Sequence, residues 1–107
     1  MMDETTRQGE CPVKKTIRLF QGKWNIRIIF ELTKQEPLRF GELKKAIPDI
    51  SNTMLTATLK NLEREGLIER RQFNEIPPHV EYALTESTKA LKKVFDAMEE
   101  WGKTYLE

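Results

Sequence analysis

The stretch FGELKKAIPDISNTMLTATLKNLERE, residues 40–65, decides how the rest of the chain is read. Its apolar residues fall into two helical stripes with a break between them. Phe40, Leu43 and Ile47 recur at i, i+3 and i+7, one face of a first helix. Pro48 ends that helix, because proline pushes the residue before it out of helical geometry. Asp49 and Ile50 turn the chain. Ser51 then stands as the N-cap of a second helix, its hydroxyl able to accept from the N–H of Thr53 or Met54. Ile50, just before the cap, and Leu55, four places after it, have the spacing of a hydrophobic staple.

The apolar stripe of the second helix runs Leu55, Leu59, Leu62. Between these lie Asn52, Thr53, Thr56, Ala57, Lys60 and Asn61, which are small, uncharged or basic and rich in hydrogen-bonding groups. A solvated helix face carries more Glu and Lys. In a helix-turn-helix the first residues of the second helix meet base edges in the major groove. Two amphipathic helices at a sharp turn also occur in proteins that bind no nucleic acid, and a Ser/Thr-rich first turn can be capping chemistry alone. The flanking sequence has to decide between these readings.

On the C-terminal side, Gly66 stands at the stop position of the second helix, and residues 67–73 switch to strand character. Asn74-Glu75-Ile76-Pro77-Pro78 is a turn-rich tip. Val80, Tyr82 and Leu84 alternate along a second strand. Two strands joined by a proline-bearing loop directly after a helix-turn-helix make a wing, over residues 67–84, whose tip can reach a phosphate or the minor groove. Thr85 caps a last helix expected over 85–106, with Leu91, Val94, Phe95, Met98, Trp101 and Tyr105 on its apolar side. A helix of about 20 residues spans about 30 Å, long for a lid on a small domain. Its large aromatic residues near the terminus suggest a partner surface, best supplied by a second copy of the chain.

On the N-terminal side, residues 1–10 lack periodicity and read as a loose arm. Cys11-Pro12 opens a first helix with Pro12 at its first position and Cys11 at the N-cap. Val13, Ile17 and Phe20 form its stripe, and Gly22 is its expected stop. In residues 24–32, Trp24, Ile26, Ile28, Ile29, Phe30 and Leu32 occupy nearly every side, so this helix is expected to lie buried at the centre of the core. A polar loop, 33–37, leads to a short extended segment at Leu38-Arg39.

At 107 residues the chain makes one domain, expected over 11–107, with 38% apolar and 33% charged residues. No apolar run is long enough to span a bilayer. The first ten residues hold no apolar segment of the kind a secretion signal needs, and the single Cys excludes an intrachain disulfide. These features place the chain in the cytoplasm. Net charge is only +1, but residues 11–45 carry nine Lys/Arg against three Glu, so positive charge clusters ahead of and at the start of the helix-turn-helix.

The fragments Cys11-Pro12, Gly22-Lys23-Trp24, Arg39-Phe40 with Glu42-Leu43, Ile50-Ser51 with Met54-Leu55, Leu59 with Leu62-Glu63, Gly66-Leu67 and Pro77-Pro78-His79-Val80-Glu81-Tyr82-Ala83-Leu84-Thr85 form one ordered series. In this order and spacing the chain resembles the HxlR-type winged helix-turn-helix transcriptional regulators of bacteria and archaea. The resemblance runs from residue 11 to about residue 100. It implies a mainly α (α+β) winged helix-turn-helix and operator-DNA binding by a homodimer held through the first and last helices. That dimer interface would draw on Val13, Ile17, Phe20, Val94, Phe95, Met98, Trp101 and Tyr105. Some members of the family sense oxidants or electrophiles through the N-terminal Cys, here Cys11. The chain departs from the family pattern at His79, where Arg is common, and at Thr88, where Gly is common.

The expected division of contacts follows from side-chain chemistry. Asn52, Thr53, Thr56, Ala57 and Lys60 face the groove, where Asn, Thr and Lys can bond base edges or phosphate. Ser51 is chiefly a cap. Arg39 and Lys44 can hold phosphates, which positions the protein without reading sequence. Arg70 and Arg71 point to opposite sides of their strand, so at most one of them meets DNA. His79 at the wing base and Lys23 are weaker phosphate candidates. Cys11 at a helix start, with Lys14 and Lys15 behind it, has the setting in which reactive thiolates occur. The alternative is a winged helix used for protein–protein assembly without DNA. Paired carboxylates, a nucleophile–His pair and a Gly-rich phosphate loop are all missing from the sequence, and His79 with Cys11 alone cannot hold zinc. Neither an enzyme nor a cofactor or metal site is therefore expected.

Overall fold

Capping chemistry and leucine spacing set the elements, and the computed structural model describes them over residues 11–106. Helix α1 (Pro12–Phe20) begins where Pro12 needs no N–H partner, with Cys11 extended as its N-cap. It stops at Phe20 with Gln21 as C-cap; Gly22, expected as the stop, instead N-caps α2 (Lys23–Lys34). Helix α3 (Phe40–Ala46) and helix α4 (Asn52–Arg64) form the helix-turn-helix. Strands β1 (Ile68–Phe73) and β2 (His79–Leu84) follow, then a single turn α5 (Glu86–Lys89) and helix α6 (Lys92–Tyr105). The arm expected over 1–10 lies outside the described residues.

The end of α4 is fixed by its backbone. Gly66 adopts a φ of +75°, the left-handed geometry that Gly alone takes without strain. The Leu67 N–H then reaches back to the Leu62 carbonyl (2.9 Å) and the Gly66 N–H to that of Glu63 (3.0 Å). This is a Schellman closure, and it turns the chain sharply into β1. β1 and β2 pair antiparallel from Ile68 opposite Leu84 to Phe73 opposite His79. Leu38 joins β2 as a short edge, exchanging backbone bonds with Tyr82 at 3.0 and 2.8 Å, so the extended segment expected at Leu38 is present. Glu36 secures the same edge by accepting from the Leu84 N–H (2.8 Å).

The core gathers Ile28, Ile29 and Leu32 of α2, Leu43 and Ile47 of the first motif helix, Leu55, Leu59 and Leu62 of α4, Ile68, Leu84 and Phe95. Helix α2 is central, touching α1, α3, α4, β2 and α6. It is not buried on every side as its composition suggested. Phe30 is 39% exposed, and Trp24 and Ile26 are half-buried, because α6 covers only part of the outer face of α2. Phe95 makes that contact, with its ring 6.1 Å from Phe20 and 5.2 Å from Phe30.

The last helix departs from expectation more clearly. It is not continuous over 85–106. Thr85 caps only the turn α5, and α6 begins afresh at Lys92. Thr88, the departure from the family's Gly, explains the first anchor. It is 1% exposed, and its hydroxyl donates to the Leu67 carbonyl (2.8 Å) and accepts from the Thr85 N–H (3.1 Å). The Thr85 hydroxyl donates to the Gly66 carbonyl (2.9 Å). One end is thus pinned to the corner after α4, while Phe95 aims the other end at α2. The chain re-aims between these anchors, through an i→i+3 bond from the Leu91 N–H to the Thr88 carbonyl (3.0 Å).

Replacing Thr88 by Val keeps the volume but leaves the half-buried Leu67 carbonyl and Thr85 N–H without this hydroxyl. Urea unfolding of Thr88→Val is expected to show a loss of about 1–3 kcal/mol. Unchanged stability would mean that the hydroxyl does not anchor this corner.

Candidate nucleic-acid interface

Helix α4 is divided lengthwise. Ser51 caps it as the sequence indicated, its Oγ accepting from the Met54 N–H at 3.0 Å. Leu55, Leu59 and Leu62 are buried, and Thr58 joins them by donating its hydroxyl to the Met54 carbonyl (2.7 Å). On the other side Asn52, Thr53, Thr56, Ala57 and Lys60 are all exposed and line one shallow depression. The five residues expected to act together therefore share one surface. Asn61 does not join it; its Oδ1 accepts from Arg64 Nη2 (2.9 Å).

The cations around this surface differ in how they are engaged. Arg39 is exposed at the N-cap of α3, its backbone N–H held by Glu42 Oε1 (2.8 Å), and its side chain makes no ion pair with a described residue. Lys44 is half-buried and donates to the Pro48 carbonyl (2.9 Å), closing the C-terminus of α3. On the wing, Arg71 pairs with Glu69 (2.6 Å) while Arg70 on the opposite side meets Gln72 Oε1 (3.3 Å), the split that strand alternation required. His79 is stacked on Phe73 at 4.6 Å and faces two carboxylates, Glu81 at 3.2 Å and Glu75 at 3.6 Å. Lys44 and His79, both read from sequence as phosphate candidates, are thus turned to local partners.

One contact had no signal in the sequence. Arg27 of α2 donates through Nη1 to Asp49 Oδ2 (2.9 Å), tying the central helix to the turn two residues before the α4 cap. The residues are 22 apart, and only the packing of α2 under the motif brings them together. Arg27 and Lys23 also flank the Trp24 ring, at 5.3 and 4.5 Å from its centroid. The Arg27 guanidinium, with help from backbone N–H bonding and from Lys23, holds the Asp49 carboxyl below its usual range.

Val13, Ile17, Val94, Met98, Trp101 and Tyr105 are exposed on α1 and α6, with Trp101 57% accessible. The rings of Trp101 and Tyr105 lie 5.2 Å apart. One residue expected on this face belongs elsewhere. Phe95 is buried in this chain's own core, while Phe20, half-buried where it stacks on Phe95, still borders Val13 and Ile17 on α1. Cys11 is exposed at the start of α1, with no side-chain cap bond. No helix among the described residues is long and apolar enough to cross a membrane.

A helix-turn-helix whose second helix has a buried leucine stripe and an open polar side, followed at once by a two-stranded hairpin, is a winged helix-turn-helix. Comparison with known proteins agrees. The family model for HxlR-like helix-turn-helix proteins matches residues 19–107. The chain is 40% identical over 101 residues to YdzF, an HTH-type transcriptional regulator of Bacillus subtilis, covering 94% of this chain and 93% of that one. A solved structure from Porphyromonas gingivalis W83, described as a MarR-family transcriptional regulator, superposes with a TM-score of 0.80 at 41% identity over 98% of this chain and 97% of its own. The reduced form of YodB from B. subtilis superposes with a TM-score of 0.77 at 38% identity, covering 92% and 96%. This chain belongs to the HxlR-like helix-turn-helix family of transcriptional regulators. These relatives are regulators and not enzymes, in agreement with the absence of catalytic motifs from the sequence.

Because the folded Asp49 carboxyl titrates below its ordinary value of 3.8, its contribution to stability is present above that value. It is lost as pH falls through the lowered one. The stability gap between wild type and Asp49→Asn is expected to be constant near neutrality and to close in acid. A gap that persisted unchanged in strong acid would assign the effect to something other than the Arg27–Asp49 charge pair.

Proposed function

We propose that this chain is a sequence-specific DNA-binding regulator acting in the cytoplasm as a homodimer on a pseudo-palindromic operator. The observation that carries this reading is the open side of α4. Five neighbouring positions there combine an amide, two threonine hydroxyls, an alanine and a lysine with no acidic residue and no bulky apolar one. That set suits base edges and a thymine methyl, and it suits a protein partner poorly. Asn52, Thr53, Thr56, Ala57 and Lys60 read bases, while Ser51 serves the helix end. Arg39 and Arg70 hold phosphates and set register. Lys44 and His79 are left out of the contact set, because Lys44 is held by the Pro48 carbonyl and His79 faces two carboxylates, whereas Arg70 meets only the neutral Gln72 at 3.3 Å.

The exposed apolar residues of α1 and α6 support self-association, with Val13, Ile17, Val94, Met98, Trp101 and Tyr105 as the joined surface. Two recognition helices then address half-sites about 34–36 Å apart. A second reading concerns the signal. Cys11 is an exposed thiol, and relatives in solved structures include a redox regulator, HypR, in oxidised form and YodB in diamide-treated and quinone-bound forms. Oxidation of Cys11 would alter the start of α1, inside the dimer surface, and so alter the spacing of the two α4 helices.

Selection from a random duplex pool, followed by titration of variants on the selected site, tests the reading. Asn52→Ala and Thr56→Ala are expected to relax preference at one or two base pairs, by about 1–3 kcal/mol each. Arg39→Ala should weaken all sequences alike and lower the log–log salt slope by about one. Sequence preference altered by Arg39→Ala and untouched by Asn52→Ala would reverse this division of roles. Sedimentation should give a dimer at micromolar concentration and a monomer for Trp101→Glu.

Adding diamide should lower operator affinity of the wild type and leave Cys11→Ser unaffected. Equal behaviour of the two proteins would remove Cys11 as a sensor.

A further inference from the structure

Most of the exposed large apolar side chains among the described residues gather on α1 and α6. Ile76 stands apart from them. It is 100% exposed and sits in the middle of the five-residue loop that joins β1 to β2. Directly beneath the loop, Phe73 and His79 face each other at the last register position and stack at 4.6 Å, which closes the hairpin. Pro77 and Pro78 follow Ile76, and each ring fixes its own φ. The loop therefore presents an apolar side chain outward on a stiff mount, with little backbone freedom left to lose on contact.

The charges of the wing point the same way. The loop holds no Lys or Arg. Its one charged residue, Glu75, has its carboxylate drawn back to 3.6 Å from His79 Nδ1, away from the apex. The arginines lie lower on β1, with Arg71 already paired to Glu69. A tip of this composition is badly suited to clamping a phosphate. An isoleucine backed by prolines matches instead the apolar side chains that enter the minor groove, part a base step and kink the duplex.

We propose that Ile76 is a minor-groove wedge. With α4 in the major groove, the wing tip enters the adjoining minor groove and Ile76 presses into one base step, bending the operator. This rests on the DNA-binding reading given above. Pyrimidine–purine steps unstack most readily, so the sequence favoured under the wing is selected by deformability and not by hydrogen bonds. In a homodimer the two wings would place two such kinks symmetrically about the operator centre.

The test uses the full chain and the duplex that the wild type selects from a random pool, labelled at both ends for energy transfer. Wild type is expected to shorten the end-to-end distance. Ile76→Ala should leave the duplex nearly straight, bind roughly tenfold more weakly and lose the enrichment of TA and CA steps beneath the wing. Its preference at the α4 positions and its salt slope should not change. Ile76→Lys supplies a phosphate-binding group in place of the wedge and should not restore the bend. An alanine variant that bends and selects as the wild type does, or a lysine variant that keeps the bend, overturns the wedge. So does a wild type that selects a site yet leaves it straight, and that outcome leaves the DNA-binding reading intact. A wild type that selects no site at all removes the DNA-binding reading and the wedge together.

Discussion

Burial of Leu55, Leu59 and Leu62 in one cluster with Ile28, Ile29 and Leu32 is the constraint on which the molecule turns. A leucine taken fully out of water contributes about 1.5–3 kcal/mol. Rotating α4 by one residue would expose this stripe and drive polar side chains toward α2. An unsatisfied polar group buried there would cost about 1–3 kcal/mol more. The helix therefore has one rotational setting. That setting alone decides that Asn52, Thr53, Thr56, Ala57 and Lys60 face outward together. The polar face is fixed by the leucines behind it, not by contacts of its own.

The same economy governs the wing. Its root is a corner where three elements meet. Gly66 turns the end of α4, the Thr85 hydroxyl binds the Gly66 carbonyl and the Thr88 hydroxyl binds that of Leu67. Ile68 and Leu84, paired across the hairpin, both return to the core. The hairpin thus leaves the core at a set point relative to α4, held by bonds that lie at its base and not along its length. Toward the tip, burial falls away and the Phe73–His79 stack takes over as the closing contact.

What was legible in the sequence was local. The Ser51 cap, the Gly66 stop, the Pro12 start and the alternation through Val80, Tyr82 and Leu84 depend on residues within a few positions of one another, and each left a recognisable spacing. What was not legible was tertiary. Phe95 looked like one more residue of an outward stripe, and only its meeting with Phe20 and Phe30 makes it core. The break before Lys92 arises because Thr88 is tied to Leu67, 21 residues earlier. The Arg27–Asp49 pair joins positions whose individual contexts gave no hint of each other. For His79 a signal did exist: Glu81 lies two residues on along the same strand, hence on the same side. The composition of α2 misled in the other direction, because an all-round apolar helix still needs neighbours on every side, and the contact of Phe95 from α6 covers Phe30 only in part.

Charge bears on how the polar face of α4 relates to the apolar residues of α1 and α6. The basic clustering of residues 11–45 is less available than it looks, since Arg27 is held by Asp49, Lys34 by Glu31 and Lys44 by the Pro48 carbonyl. Near the motif, Arg39, Lys45, Lys60 and Arg64 remain without an ion partner among the described residues. Affinity for DNA driven by counterion release grows with the number of phosphates neutralised. On the proposed reading, four such cations in one copy give a limited electrostatic grip, and joining two copies would double both the cations and the polar α4 faces that act at once. The exposed aromatic end of α6 and the sparse charge around α4 are on this account parts of one arrangement. The chain that carries a single lysine on the open face of α4 also carries exposed apolar side chains on α1 and α6, through which the proposed homodimer would bring a second such face alongside.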